Sequence, residues 1–211
     1  MSIRRRDFLR VAAAVAVSPA LTSELAASVS APSTEHLTAP AWSGYDDAMV
    51  IGGGLASIDV CKILNLELYA RALGDRGIKV DIEEMEVRGI PRTLETHGLA
   101  VGDLNIQGCT LFYRRDKEDM PLENVRNPSA QRLEKLKGTR AKIMDKVIRK
   151  YLVRFCPNAI PVEAVEKDGR LDGFIFQRTK IVDGRVLRLE NTEFTRRSNQ
   201  IISSIGSTPV P

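Results

Sequence analysis

The sequence predicts an α/β fold, and three observations predict it. Ala48-Met49-Val50-Ile51 is a short apolar run that ends on glycines, the pattern of a buried strand. From Leu55 to Leu73, residues Leu55, Ile58, Ile63, Leu66 and Ala70 recur at helical spacing, and Gly74 ends the run. Cys109–Tyr113 and Gln200–Ile205 are further apolar runs that read as strands. Strand, helix and strand in this order suggest a sheet with helices packed against it.

The remaining elements fill in between. Asp75–Gln107 is a variable stretch with an acidic patch, Asp81–Glu86, and it separates the first helix from the second strand. Gln131–Tyr151 is a long charged helix carrying Leu133, Leu136, Ile143, Val147 and Ile148. Ile160–Ile181 alternates as strands do, with Lys167-Asp168-Gly169-Arg170 as a hairpin turn and a second turn at Asp183-Gly184. No internal repeat is visible.

Length and composition set the bounds. The 211 residues allow one full domain plus appendages, and 43% hydrophobic with 27% charged residues is ordinary for a soluble globular chain. The net charge is +4, but Arg4, Arg5, Arg6 and Arg10 against Asp7 place +3 of it in the first ten residues. A pI of 9.0 is therefore no argument for nucleic acid, because the folded part has no basic face with which to neutralise phosphates. Cys61, Cys109 and Cys156 lie far apart with no C-x-x-C, and only His36 and His97 could join them on a metal. Buried apolar thiols, with no dithiol centre and no metal site, are the expectation.

The N-terminus reads as an address. Arg5-Arg6-Asp7-Phe8-Leu9-Arg10 resembles a twin-arginine export signal, with Arg4 where Ser or Thr is usual. Val11–Val17 is too short to cross a bilayer, so no transmembrane segment is expected. Small residues near Ala26-Ala27-Ser28 or Val29-Ser30-Ala31 could serve for cleavage. Residues 29–46, rich in Ser, Thr, Pro and Ala, read as a linker. Two localisations stay open. The protein is periplasmic through twin-arginine export if the leader is real, and cytoplasmic if it is not.

The chemistry sits at the first glycines. Gly52-Gly53-Gly54-Leu55-Ala56-Ser57 fits G-x-G-x-x-G/A, with Ser at the third small position. Gly52 permits the tight turn, Gly54 lets a pyrophosphate approach the backbone, and Ser57 keeps helix and strand close. The helix N-terminus then offers free N–H groups and its positive dipole end to the phosphates. The context of strand before and helix after makes this a dinucleotide-binding loop rather than a bare glycine turn. At the end of the second strand, where an NAD site usually places an acid, stand Arg114 and Arg115. Forked guanidinium groups there favour a 2′-phosphate and hence NADP(H). The gap between loop and arginines exceeds the usual spacing of about twenty residues, so Asp75–Gln107 is read as an insertion.

These residues carry a resemblance. Val50–Asp59, Cys109-Thr-Leu-Phe-Tyr-Arg-Arg115 and Met120-Pro121 resemble the NADPH domain of FAD-dependent pyridine nucleotide oxidoreductases, most closely the glutamate synthase small subunit and its adrenodoxin reductase-like relatives. Ile201–Gly206 with Pro209 resembles the strand by which such chains return to the FAD domain. The resemblance implies a Rossmann-like FAD/NAD(P)-binding fold with an incomplete flavin domain, a long helix and a β-hairpin addition. It divides the chain into a leader and linker (1–44), an NAD(P)-binding domain with its insertion at 75–107 (45–199), and a return strand toward an FAD domain (200–211). It implies that the glycine loop lines the pyrophosphate and that Arg114 and Arg115 hold the 2′-phosphate. FAD would enter only with a partner chain or in a longer form, since no earlier glycine fingerprint is present. The partner expected is a flavin-bearing or electron-transfer chain. NADPH would pass hydride to flavin in the complete enzyme, a step that requires no acid–base side chain, so no catalytic residue is nominated. Asp59, Glu67 and His97 are read as surface, capping or loop residues. The alternatives are a non-catalytic nucleotide-binding remnant or interaction module, and, resting on the leader alone, a periplasmic binding protein for another anion.

Overall fold

The computed structural model describes residues 44–206 apart from Asn124, Arg126 and Asn127. The twin-arginine-like leader, most of the linker with Trp42, and Pro209 lie outside the described residues. Along the chain come β1 (Ala48–Gly52), α1 (Leu55–Gly74), α2 (Ile82–Arg88), α3 (Ile90–Thr96), β2 (Cys109–Phe112), α4 (Ala130–Tyr151) and β3 (Arg154–Cys156). β4 (Ala159–Lys167), β5 (Arg170–Val182), β6 (Arg185–Arg188), β7 (Phe194–Arg197) and β8 (Ile201–Ser204) follow.

The α/β expectation holds. β3, β2, β1 and β8 form one sheet in that order, with every neighbouring pair parallel. Ala48, Met49 and Val50 are completely buried. That is why β1 reads as an unbroken apolar run instead of an alternating one, as strands covered on both faces do. β3 was not foreseen. Its three residues, Arg-Phe-Cys, are too short and too mixed to register as a strand before a neighbour pairs with them.

α1 spans the expected residues but turns a different face inward. Leu55 and Ile63 are 54% and 50% exposed, whereas Ser57, Ile58, Cys61, Asn65, Leu66, Tyr69 and Leu73 are buried. The helix lies close on the sheet, and its contact face uses small and polar residues that a hydrophobicity stripe does not mark. Asn65 shows how this is tolerated. Its amide donates to the Tyr151 carbonyl at 2.8 Å and accepts from the Cys109 N–H at 2.7 Å, so its buried polar atoms are satisfied.

The stretch read as an insertion, 75–107, contains two short helices. Asp81 caps α2 by accepting from the Glu84 N–H at 3.0 Å, and Glu83 and Glu84 occupy the first turn. The acidic patch is thus a helix start written in favourable charges. Met85, Ile90 and Leu94 pack against Leu66, Tyr69 and Leu73 of α1 in a separate small core. Leu133 of α4 is 37% exposed, while Leu136, Met144 and Val147 carry the buried face.

The β-hairpin addition is larger than a hairpin. β5 is the central strand of an antiparallel sheet, pairing β4 along one side and β7 and then β6 along the other. Both expected turns are present. Asp168 and Gly169 have φ of 51° and 73°, and Asp183 and Gly184 have 50° and 74°, the left-handed pair that two-residue hairpins need. Two contacts lock this sheet to the parallel one. The Phe112 and Phe176 rings stack with centroids 4.1 Å apart. The fully buried Asp46 takes Arg196 Nε at 3.0 Å, Arg196 Nη2 at 2.7 Å and Arg154 Nη2 at 2.7 Å, and it also accepts the Thr110 hydroxyl. A carboxylate taken from water is tolerated because its lone pairs are filled in this way. Among the described residues no helix is long and apolar enough to cross a membrane.

Candidate functional site

The parallel register decides what meets at the carboxyl edge of the sheet. Ile51 pairs with Phe112, and Gly52 pairs with Ser204. Gly52–Gly54, Tyr113–Arg115 and the end of β8 therefore leave the sheet side by side. The chain steps from β1 to β2 to β3 in one direction, and β8 lies on the other side of β1. The strand order reverses at β1, and the crevice beyond its carboxyl end is where open α/β sheets bind ligands.

Each residue of the loop has a distinct surrounding. A side chain at Gly52 would overlap Ser57 Oγ and the Ser204 carbonyl. That space belongs to the Ser57 hydroxyl, 3.1 Å from both the carbonyl and the hydroxyl oxygen of Ser204. Ser57 thus ties the first turn of α1 to β8 by hydrogen bonds where a third glycine would do so by contact alone. A side chain at Gly53 would collide with the Tyr113 ring, whose hydroxyl donates to the Asp119 carbonyl at 3.1 Å. Gly54 is the exception, since a Cβ there would meet no atom within 4 Å. It precedes α1 as N-cap with no side-chain cap, and the first turn holds no acidic residue. The Ser57 and Ile58 N–H groups both turn back to the Gly54 carbonyl, at 3.1 and 3.4 Å. The N–H groups of Leu55 and Ala56 have no carbonyl one turn before them within the helix. Both residues are exposed, so open backbone, uncapped donors and the positive dipole end coincide.

The arginine pair is held by backbone. The Tyr113 carbonyl accepts from the Ala159 N–H at 3.0 Å, that of Arg114 from the Thr179 hydroxyl at 2.9 Å, and that of Arg115 from the Asn158 N–H at 3.2 Å. The antiparallel sheet therefore fixes the segment that leaves β2. Arg114 is exposed and forms no ion pair among the described residues. Arg115 is half-buried and donates from Nη2 to the Gly184 carbonyl at 3.0 Å. Burial raises the Tyr113 phenol above its ordinary range, while Arg115 and Arg114 pull it back. Sequence reasoning missed Tyr113 as a wall of the loop and Ser204 as the partner of Ser57. Only the pairing of strands far apart in sequence brings these residues to the glycines.

The other sequence candidates behave as surface groups. Asp59 sits 3.3 Å from Lys62 on the outer face of α1, and His97 is the exposed C-cap of α3. All three cysteines are buried and free. Cys61 and Cys109 belong to one core cluster, a proximity the sequence did not suggest. No group of three or more metal-ligating side chains occurs among the described residues.

No protein-family model matches the chain. Among solved structures it is similar to Mycobacterium tuberculosis FprA in complex with NADPH, at 16% identity and a TM-score of 0.48, over 80% of this chain and 40% of that one. It is similar to T. acidophilum thioredoxin reductase at 11% identity and a TM-score of 0.36, over 75% and 30% of the two chains. Lactococcus lactis thioredoxin reductase gives 15% identity and a TM-score of 0.30, over 77% and 32%. The chain spans well under half the length of these structures. They are FAD/NAD(P)-binding pyridine nucleotide oxidoreductases, the family whose motifs Val50–Asp59 and Cys109–Arg115 resemble. The Rossmann-like reading of the sheet rests on this chain's own strand order and glycine loop.

Proposed function

We propose that the chain binds NADP(H) at the carboxyl edge of its parallel sheet, as the NADPH-binding portion of an FAD-dependent oxidoreductase. The observation that carries the reading is the pairing of an open, uncapped Gly54 at the head of α1 with an exposed Arg114 on the next strand end. The pyrophosphate fits where a Cβ at Gly54 would meet nothing, against the N–H groups of Leu55 and Ala56. Gly52 and Ser57 hold the helix near β8, and Gly53 admits the Tyr113 wall. Arg114 takes the 2′-phosphate. Arg115 assists with the donors it does not spend on Gly184.

When bound, NADPH supplies hydride, and its acceptor in the complete enzyme is a flavin. The residues described here bind and orient the nucleotide, and none is assigned a proton-transfer role.

The test is a titration of the purified protein with NADPH, beside Arg114→Ala/Arg115→Ala, together with a visible spectrum. Binding should weaken sharply in the double variant. Equal affinity for NADPH in the two proteins overturns the assignment. A yellow protein with diaphorase activity would remove the non-catalytic module as an alternative. A colourless one that still binds NADPH would favour that module.

A further inference from the structure

α2 and α3 line an open cavity together with α4. Its volume is about 420 Å³, and five of its lining residues are cations, Arg88, Arg92, Lys146, Arg149 and Lys150. This corrects the expectation that the folded part has no basic face: its small net charge hides a local cluster that only the packing of three helices brings together. No carboxylate lines it. α2 and α3 pack on the second half of α1, at Leu66, Tyr69 and Leu73, whereas the glycine loop stands at the head of that 20-residue helix. A helix of that length runs about 30 Å, so this cavity and the nucleotide loop are separate places.

Local stability explains only part of this charge. Arg149 and Lys150 sit in the last turn of α4 and Arg88 in the last turn of α2, where cations complement the helix dipole. Arg92 does the reverse, entering the first turn of α3. Lys146 and Lys150 stand one turn apart on α4, a like-charge spacing that destabilises a helix. Arg88 is paired with Glu84 at 2.5 Å. Among the described residues Arg92, Lys146, Arg149 and Lys150 form no ion pair, and the neighbouring Asp145 is engaged by Lys117 at 2.7 Å. Lys150 is nevertheless held in place. Its stem packs on Gly89, where a Cβ would come within 2.8 Å of Lys150 Cγ, and its ammonium lies 5.1 Å from the Tyr151 ring centre. Cations from three helices thus converge, against their own repulsion, on a space of small-molecule size.

We propose that this cavity is a binding site for a compact polyanion carrying two or more phosphate groups. Guanidinium forks and ammonium donors match phosphate oxygens in charge and in geometry. A soluble polyphosphorylated molecule and a phosphorylated lipid headgroup share this chemistry.

The full chain should bind inorganic tripolyphosphate saturably at low salt, with a raised Tm, and saturating NADPH should not displace it. In Arg92→Gln/Lys146→Gln, both exposed positions, affinity should fall at least about tenfold. Without the probe the variant should melt no lower than wild type, since repulsion has been removed. Sedimentation with phosphatidylcholine vesicles containing phosphatidylinositol bisphosphate, lost in the same variant, would assign the phosphates to a lipid. Absence of sedimentation with tripolyphosphate still bound would assign them to a soluble ligand. Unchanged tripolyphosphate binding in the variant, its displacement by NADPH, no binding of either probe, or equally tight binding of a polyglutamate peptide would each overturn the proposal.

Discussion

The ring of Tyr113 rests on Gly53, so that any side chain at residue 53 would overlap its Cε2, Cδ2 and Cζ atoms. The middle glycine of the loop, which the fingerprint leaves free, is therefore set by the residue that follows β2. Gly53→Ala should push the ring aside, disturb the adjoining Arg114 and Arg115, and weaken NADPH binding about tenfold or more. Tyr113→Ala introduced alongside should restore part of that loss, because it removes the clash. A double-mutant cycle read by NADPH titration measures the coupling, and additive effects would show that ring and loop do not communicate.

The two arginines should not be equivalent. Arg115 spends a donor on the Gly184 carbonyl and is half-buried, whereas Arg114 is exposed and without an ion pair among the described residues. Charge-assisted hydrogen bonds contribute about 1.5–3 kcal/mol each. Arg114→Ala should therefore cost roughly ten- to a hundredfold in NADPH affinity while leaving NADH binding nearly unchanged. Arg115→Ala should cost less, and it should loosen the Asp183-Gly184 turn. Parallel titrations with NADPH and NADH decide the order, and a larger loss in Arg115→Ala would exchange the two roles.

Much of this architecture was legible because local patterns were strong. β1, the glycine loop, the bounds of α1 and α4 and both hairpin turns are encoded in a few consecutive residues. What was hidden depends on partners distant in sequence. The buried face of α1 uses Ser57, Cys61 and Asn65, which count as polar or small until the sheet is placed under them. β3 is three residues long and exists because β2 pairs with it. The insertion looked variable since its two helices are only seven residues each, too short for periodicity to show. At the site, the glycines and arginines were visible, and Tyr113 and Ser204 were not, because register alone brings them to the loop.

The thiols give a prediction for alkaline pH. Burial pushes Cys156 from about 9 up to about 11, and the Arg178 guanidinium, 3.5 Å from Sγ, offsets only part of this. Burial likewise raises Cys61 well above its ordinary value, with the Cys109 thiol adding to the effect. A thiol whose folded pKa is raised contributes stability that is complete below its unfolded pKa and is lost as pH climbs to the folded one. Denaturant stability should accordingly decline between about pH 9 and pH 11 as the unfolded chain's thiols ionise ahead of the buried Cys156. Cys156→Ala should flatten that slope. Native protein should also leave 5,5′-dithiobis(2-nitrobenzoate) unreacted at pH 8, with all three thiols reacting once it is unfolded. Rapid labelling of the folded protein would count against this burial.

Arg5 and Arg6 set the remaining expectation, because the compartment decides whether the proposed site meets its ligand. NADPH is a cytoplasmic currency, and the twin-arginine route exports folded proteins, so an exported nucleotide-binding domain would have to carry its cofactor along. Met1–Ser30 fused to a folded reporter should reach the periplasm, and should remain in the cytoplasm when the translocase is absent. Arg5→Lys/Arg6→Lys should block export as well, since the resemblance rests on the paired arginines and not on their charge. The apolar run Val11–Val17 is short and mild, which suits a route that avoids unfolding its cargo. A reporter that stays inside in every strain would place the protein in the cytoplasm with a full supply of NADPH. One exported regardless of the two arginines would assign the leader to a different route.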